Sequence, residues 1–259
     1  MTITSDSLAD AFTRVLAGAC AANRVVTFLH VPKCFGTAVT AHARRLFPDI
    51  RLDGGHRALL EGRAPAADPL VLSSIRSPAA RFKSIVLHAL RDNRPDGFCA
   101  ADKFPVLSGF LRRPTAAGLR SYLVEEYWHA SYFFWFRMFL GDTPLDRLRA
   151  CAADPAAGAP TADEQRLVEG CADAVTGSLA VCLYDDPDFM RWMPPANAAS
   201  QFSRLWQRRR TQRVTAIIAE VIAEKPGVLL WEQLFYDRCV TRQRERLEAG
   251  ATPPLRRCA

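Results

Sequence analysis

The sequence predicts an α/β fold in which helices flank a parallel, doubly wound sheet. Three short apolar runs have the composition of buried strands: residues 25–29 (VVTFL), 70–75 (LVLSSI) and 179–184 (LAVCLY). Segments with the helical spacing of apolar residues separate these runs, and such alternation favours parallel strands joined by helical crossovers. The length of 259 residues, of which 49% are hydrophobic and 24% charged, suits a domain with a substantial core and excludes a disordered chain.

Helices are predicted where apolar residues recur at intervals of three or four positions. Thr161 and Glu164 have the pattern of a capping box at the start of one helix, and Pro78 suits the first turn of another. Residues 92–114 and 152–160 are predicted to be irregular because they are rich in Pro, Gly, Asp or Ala. The predicted helices cover residues 37–47, 79–90, 115–140, 163–175, 211–224 and 229–247.

Charge and cysteine content narrow the possible functions without selecting one. The net charge of +7 favours anionic ligands. The arginine-rich residues 204–213 include one aromatic residue, Trp206, rather than the repeated aromatic side chains of an RNA-binding surface, so no nucleic-acid partner is expected. The eight cysteines are widely spaced and form no CxxC pair, so we expect reduced thiols and no metal site.

The cellular location of the protein is predicted from two signals that the sequence lacks. No apolar run reaches the roughly 20 residues that span a bilayer, and the N-terminal segment lacks the basic region of a secretory signal. We therefore expect a cytoplasmic protein without a transmembrane segment. Residues 1–259 are expected to form a single α/β domain, with residues 1–22 and 248–259 peripheral.

The loop after the first predicted strand carries the strongest functional signal. Residues 30–37 (HVPKCFGT) place Lys33, Gly36 and Thr37 directly before the N-terminus of a helix. Unpaired N–H groups and the helix dipole attract an anion there, Gly36 lets the backbone approach it, and Lys33 adds a mobile positive charge. The loop therefore predicts binding of a phosphate or sulfate group, although it contains neither GxxxxGK[ST] nor GxGxxG.

Two segments, in the right order, resemble the motifs of one family. Residues 28–39 (FLHVPKCFGTAV) resemble the 5′-phosphosulfate loop of carbohydrate-type sulfotransferases, FxHxPKTGGTS. Residues 73–85 (SSIRSPAARFKSI) resemble the 3′-phosphate motif of that family, RxPxxRxxS. The sequence departs from the first motif at Cys34, where the family has threonine, and at Phe35, where it has glycine.

The resemblance implies a P-loop-like fold with helical insertions and a sulfotransferase that uses 3′-phosphoadenosine 5′-phosphosulfate (PAPS). The acceptor is then a hydroxyl group of a carbohydrate, lipid or small metabolite. The first motif is expected to hold the 5′ end of PAPS, and the second its 3′-phosphate. The cofactor-binding residues so implied are Pro32, Lys33, Cys34, Phe35, Gly36, Thr37, Ala38, Arg76 and Ser84.

Two residues are expected to carry the chemistry. Lys33 is expected to stabilise the charge on the bridging oxygen as the adenosine bisphosphate leaves, and His56 to take the proton of the acceptor hydroxyl. Glu61 is the second candidate for that base. Two alternatives stay open: a non-catalytic protein that binds adenosine bisphosphate, and a nucleotide-dependent phosphotransferase, which needs a magnesium-binding acid at a strand end.

Overall fold

The computed structural model describes residues 7–54, 70–91, 103–133, 160–193 and 205–250. The chain divides into two compact units. The first unit comprises Met1–Ser77, Glu169–Asn197 and Tyr236–Ala259, and the second comprises Pro78–Val168 and Ala198–Phe235. That these units act together as the single predicted domain stays a prediction.

A parallel sheet lies in the first unit. Its strands in the described residues are β1 (Val25–Leu29), β2 (Arg51–Gly54), β3 (Leu70–Ser74) and β4 (Val181–Leu183). Their order is β2-β1-β3-β4, and every pairing between neighbours is parallel. Together with the helices around the sheet, this confirms the predicted α/β class and parallel sheet, and three of the strands fall within the runs that predict them.

The strand β2 is not predicted by its own composition. The residues of this strand, RLDG, include no β-branched or aromatic side chain. They pair with β1 in a register that runs from Val25 opposite Arg51 to Phe28 opposite Gly54. Backbone pairing with β1 therefore makes this segment a strand.

Helices make up most of the rest of the described chain. They are α1 (Leu8–Ala21), α2 (Gly36–Leu46), α3 (Pro78–Arg91), α4 (Pro105–Arg112), α5 (Ala116–Glu125), α6 (Ala162–Ser178), α7 (Pro187–Trp192), α8 (Leu205–Ala223) and α9 (Gly227–Glu248), with a 3₁₀ turn at Tyr127–Ala130. The predicted capping box of α6 is present, because the Thr161 N–H donates to the Glu164 carboxylate (2.7 Å) and the Glu164 N–H donates to the Thr161 hydroxyl (3.3 Å). None of the helices in the described residues is both long and apolar enough to cross a membrane.

Two predictions for the second unit, one of an irregular segment and one of a long helix, are wrong in part. The helix α4 lies within residues 92–114, which the sequence predicts to be irregular. The carboxylate of Glu126 accepts the N–H groups of Val106 (2.6 Å) and Leu107 (2.9 Å), so a distant residue caps this helix. The long helix predicted over residues 115–140 ends at Glu125, where a 3₁₀ turn follows.

The helix α1 packs against other elements of the first unit along one of its faces. The Ser7 hydroxyl accepts the N–H of Asp10 (3.1 Å) and caps α1. One face of α1, including Phe12 and Leu16, is buried. The Phe12 ring packs edge-on against Phe189 of α7, with ring centroids 6.1 Å apart. This helix therefore contributes to the core of the first unit.

Candidate anion-binding site

The candidate site lies at the carboxyl edge of the sheet, where the four parallel strands end. The predicted anion loop follows β1, and Arg76 follows β3. From β1 the chain passes to β2 on one side of β1 and then to β3 on the other side. The strand order therefore reverses between β1 and β3, and ligands of open α/β sheets bind outside the carboxyl ends of the strands at such a point.

The first half of the loop is a tight turn. The Cys34 N–H donates to the Val31 carbonyl (3.2 Å), Pro32 takes the second position of the turn, and Lys33 has φ of 62°. Proline at the second position and a positive φ at the third are the features of a type II turn. Lys33 thus occupies a position that glycine or asparagine usually takes, and its side chain is half-buried.

The second half of the loop leads into α2 with a further left-handed residue. Phe35 is the N-cap of α2 and has φ of 48°, and no side chain caps this end of the helix. Its carbonyl accepts the N–H groups of Ala38 (2.9 Å) and Val39 (3.1 Å). Gly36 and Thr37 are the first two residues of α2, so their N–H groups have no carbonyl acceptor within the helix. They form the donor set that the sequence predicts for an anion.

Gly36 is required by its neighbour in the loop. A Cβ atom at this position would lie 2.2 Å from Cδ2 of the His30 imidazole. The structure therefore gives a reason for the glycine that the sequence alone does not reveal, because His30 fills the space where a side chain would begin. The His30 ring also lies near Phe28, with ring centroids 6.0 Å apart.

Two serines at the end of β3 hold the loop in place. The hydroxyl of Ser74 donates to the carbonyl of Cys34 (2.6 Å), and the hydroxyl of Ser73 donates to the carbonyl of Leu29 (3.0 Å). Both serines are fully buried. The sequence signal for this anchor is a pair of polar residues inside the otherwise apolar run at 70–75.

The side chains of the predicted loop residues differ in exposure. Pro32, Cys34, Gly36 and Ala38 are buried, whereas Thr37 is exposed. Among the buried residues, Pro32 has no N–H, and the N–H groups of Cys34 and Ala38 already donate to the carbonyls of Val31 and Phe35. The loop therefore offers backbone N–H groups of the first turn of α2 together with the charge of Lys33.

The backbone on both sides of Arg76 is tied to the end of β4. The Ile75 N–H donates to the Leu183 carbonyl (2.7 Å), and the Ser77 N–H donates to both oxygens of Asp185 (3.1 and 3.2 Å). Arg76 itself is half-buried. Its position is thus fixed by residues that the sequence analysis does not single out.

Asp185 is surrounded by hydrogen-bond donors. Besides the Ser77 N–H, its carboxylate accepts the Ser77 hydroxyl (2.9 Å) and the Tyr236 hydroxyl (2.5 Å). Burial, followed by the hydrogen bond to Asp185, raises the pKa of Tyr236 far above its ordinary value, so this hydroxyl stays protonated and donates. Asp185 is therefore an oriented carboxylate whose acceptor positions are largely occupied.

The second arginine of residues 73–85, Arg81, has a structural role in the second unit. Arg81 is fully buried and forms an ion pair with Glu232, which is also fully buried. Its guanidinium donates to the Tyr127 hydroxyl (2.9 Å) and lies 4.0 Å from the ring centre of Tyr132. Burial raises the pKa of Tyr127 well above its ordinary value, and its hydroxyl donates to Glu232 (2.9 Å).

The assigned roles of three predicted site residues stay predictions. Ser84 lies half-buried on α3 in the second unit, and its binding to a 3′-phosphate stays a prediction. His56 and Glu61, the two candidate bases, lie outside the described residues. In the sequence, His56 comes two residues after Gly54, the last residue of β2.

Comparison with known proteins finds no relative of this chain. No family model, no curated protein and no solved structure matches it. The candidate site is thus defined by its own contacts: a loop with two left-handed residues, the first turn of α2, and an arginine at the neighbouring strand end.

Proposed function

We propose that this protein is a PAPS-dependent sulfotransferase that transfers a sulfuryl group to the hydroxyl of a carbohydrate, lipid or small metabolite. One observation carries the proposal. The two segments that resemble the family motifs follow β1 and β3, the two strands between which the strand order reverses. That arrangement brings Lys33 and Arg76 to the sheet edge where ligands of open α/β folds bind.

The residues of the site fit the proposed cofactor. PAPS carries anionic groups at both ends of an adenosine, and it supplies an activated sulfuryl group when bound. The N–H groups of Gly36 and Thr37 and the ammonium of Lys33 suit the 5′ end. The planar guanidinium of Arg76 suits bidentate binding of the 3′-phosphate.

The roles of the residues follow from where charge develops during transfer. The acceptor oxygen forms a bond to sulfur while the bond from sulfur to the bridging oxygen breaks, and adenosine 3′,5′-bisphosphate leaves. Lys33 is assigned to the bridging oxygen, which gains negative charge. His56, or Glu61 in its place, is assigned as the base that takes the proton from the acceptor hydroxyl. As in phosphoryl transfer, positioning and charge stabilisation do most of the work.

The experiment pairs Lys33→Met with Lys225→Met. Lys225 is a matched control because it also has a positive φ, 53°, and is exposed in the second unit, so both substitutions meet the same backbone constraint. Transfer of labelled sulfate from PAPS to a panel of hydroxyl acceptors is the readout. We expect Lys33→Met to lose about a hundredfold or more in rate and Lys225→Met to retain the wild-type rate.

Two results would change the proposed function. Wild-type transfer by the Lys33→Met variant would remove the assigned role of this lysine. Binding of adenosine 3′,5′-bisphosphate by the wild-type protein, without transfer to any acceptor, would favour a non-catalytic binding protein. Thermal-shift measurements with that nucleotide detect such binding, because a ligand of the native state raises its apparent stability.

The phosphotransferase alternative needs a magnesium-binding acid at a strand end. Asp185 follows β4 and has that place in the chain, but its oxygens already accept hydrogen bonds from Ser77 and Tyr236. The same thermal-shift screen with ATP and magnesium tests this alternative directly. Stabilisation by ATP and magnesium, without stabilisation by adenosine 3′,5′-bisphosphate, would favour it over the sulfotransferase.

A further inference from the structure

The backbone that carries Arg76 is held from both sides. The Ile75 N–H donates to the carbonyl of Leu183, and the Ser77 N–H donates to the carboxylate of Asp185. Both acceptors belong to the end of β4 and the residues directly after it. The direction in which the Arg76 side chain leaves the backbone therefore depends on the position of Asp185.

Asp185 is in turn oriented by two side chains. The hydroxyls of Ser77 and Tyr236 donate to its carboxylate at 2.9 and 2.5 Å. The chain also turns tightly here, because the Asp186 N–H donates to the Tyr184 carbonyl (2.8 Å). These hydrogen bonds restrict rotation of the half-buried Asp185 carboxylate. A shift of β4 or α9 would therefore also shift Ser77.

We propose that Asp185, with Tyr236 behind it, is the positioning residue that aims the Arg76 guanidinium and so sets the preference of the site for a ligand with a 3′-phosphate. This role rests on the proposed function, in which Arg76 binds that phosphate. Bidentate binding demands that the planar guanidinium meet two phosphate oxygens at once, and a small displacement of its backbone loses one of the two contacts.

The test compares two nucleotides that differ in the 3′-phosphate. Adenosine 3′,5′-bisphosphate and adenosine 5′-monophosphate are titrated by calorimetry into the wild-type protein and into Asp185→Asn. We expect Asp185→Asn to bind the bisphosphate about tenfold more weakly, the effect of losing one charge-assisted hydrogen bond, and to bind the monophosphate unchanged. Arg76→Met, which removes both contacts, should lose the preference at least as strongly, and the double variant should lose little more than Arg76→Met.

Two further variants separate positioning from general stability. Tyr236→Phe keeps the ring but removes the donor to Asp185, and it is expected to lower the preference for the bisphosphate less than Asp185→Asn does. It also keeps the test valid if Asp185→Asn does not fold. Gln243→Met is the control: its amide oxygen accepts the Cys182 N–H within β4 (3.0 Å), so it perturbs the same strand without touching Ser77.

The outcomes distinguish this inference from the function on which it rests. Equal weakening of both nucleotides in Asp185→Asn, or no weakening of either, would assign Asp185 to the fold alone. A loss of preference in Gln243→Met as large as that in Asp185→Asn would do the same. If the wild-type protein does not distinguish the two nucleotides, the proposed binding of a 3′-phosphate by Arg76 fails, and the role of Asp185 fails with it.

Discussion

Replacement of Phe35 by glycine and by alanine measures the strain in the candidate site. Phe35 has φ of 48°, a conformation that costs an L-residue roughly 1–2 kcal/mol and glycine almost nothing. Both variants lose the same ring and its contact with Phe189, where the ring centroids are 6.4 Å apart, so their comparison isolates the Cβ atom. Part of this advantage, about 0.4–1 kcal/mol, is lost because glycine makes the unfolded chain more flexible and so stabilises the unfolded state. We therefore expect Phe35→Gly to be more stable than Phe35→Ala by about 0.5–1 kcal/mol.

Urea unfolding followed by circular dichroism gives this difference directly. For a chain of this length it corresponds to a shift of about 1–4 °C in Tm. The control is the same pair of substitutions at Thr40, inside α2, where glycine is expected to be less stable than alanine by about 1 kcal/mol. If Phe35→Ala is as stable as Phe35→Gly, the left-handed conformation at this position is not strained and the reasoning fails.

Three further predictions concern packing and charge. Gly36→Ala is expected to lower the free energy of unfolding by about 1–3 kcal/mol, and a His30→Ala background should remove most of that loss; an equal loss in both backgrounds would contradict the contact. Glu232→Gln removes the charge that neutralises buried Arg81 and is expected to lower the free energy of unfolding by about 3–5 kcal/mol, whereas a loss below about 1 kcal/mol would show that the pair is dispensable. Hydrogen bonds from the arginines of α9 hold the pKa of Asp173 far below its ordinary value. Its ionised form therefore stabilises the folded protein above about pH 4, and this stabilisation is lost as the pH falls further. Asp173→Asn is therefore expected to be less stable than the wild type by about 1 kcal/mol at pH 7, and unfolding curves at decreasing pH should show this difference shrinking below about pH 4 rather than staying constant.

Local patterns in the sequence predicted most of the fold in the described residues. Strands β1, β3 and β4 and the helices α2, α3, α6, α8 and α9 have apolar residues at the spacing of their own structure. The strand β2 could not be predicted in this way, because it depends on pairing with β1. The helix α4 carries a local signal that the prediction of an irregular segment overlooks: Pro105 at its first position and Leu107, Phe110 and Leu111 at helical spacing. Its cap from Glu126 comes from elsewhere in the chain.

Residue types alone predicted part of the candidate site. A lysine and a glycine before a helix, and an arginine after a strand, could be read directly as Lys33, Gly36 and Arg76. The contacts that hold them could not. Ser77 and Asp185 are 108 residues apart in the sequence, and no local pattern links such a pair.

The hydrogen bond from Ser74 to Cys34 also bears on how the protein folds. It joins residues 40 positions apart, so the loop can take its final shape only after β3 has paired with β1. Contacts between distant residues form slowly because the intervening chain must first close. Amide hydrogen exchange in the loop is therefore expected to follow the opening of β3 rather than that of α2, although α2 adjoins the loop directly. A ligand that binds the loop would therefore slow the separation of β1 from β3.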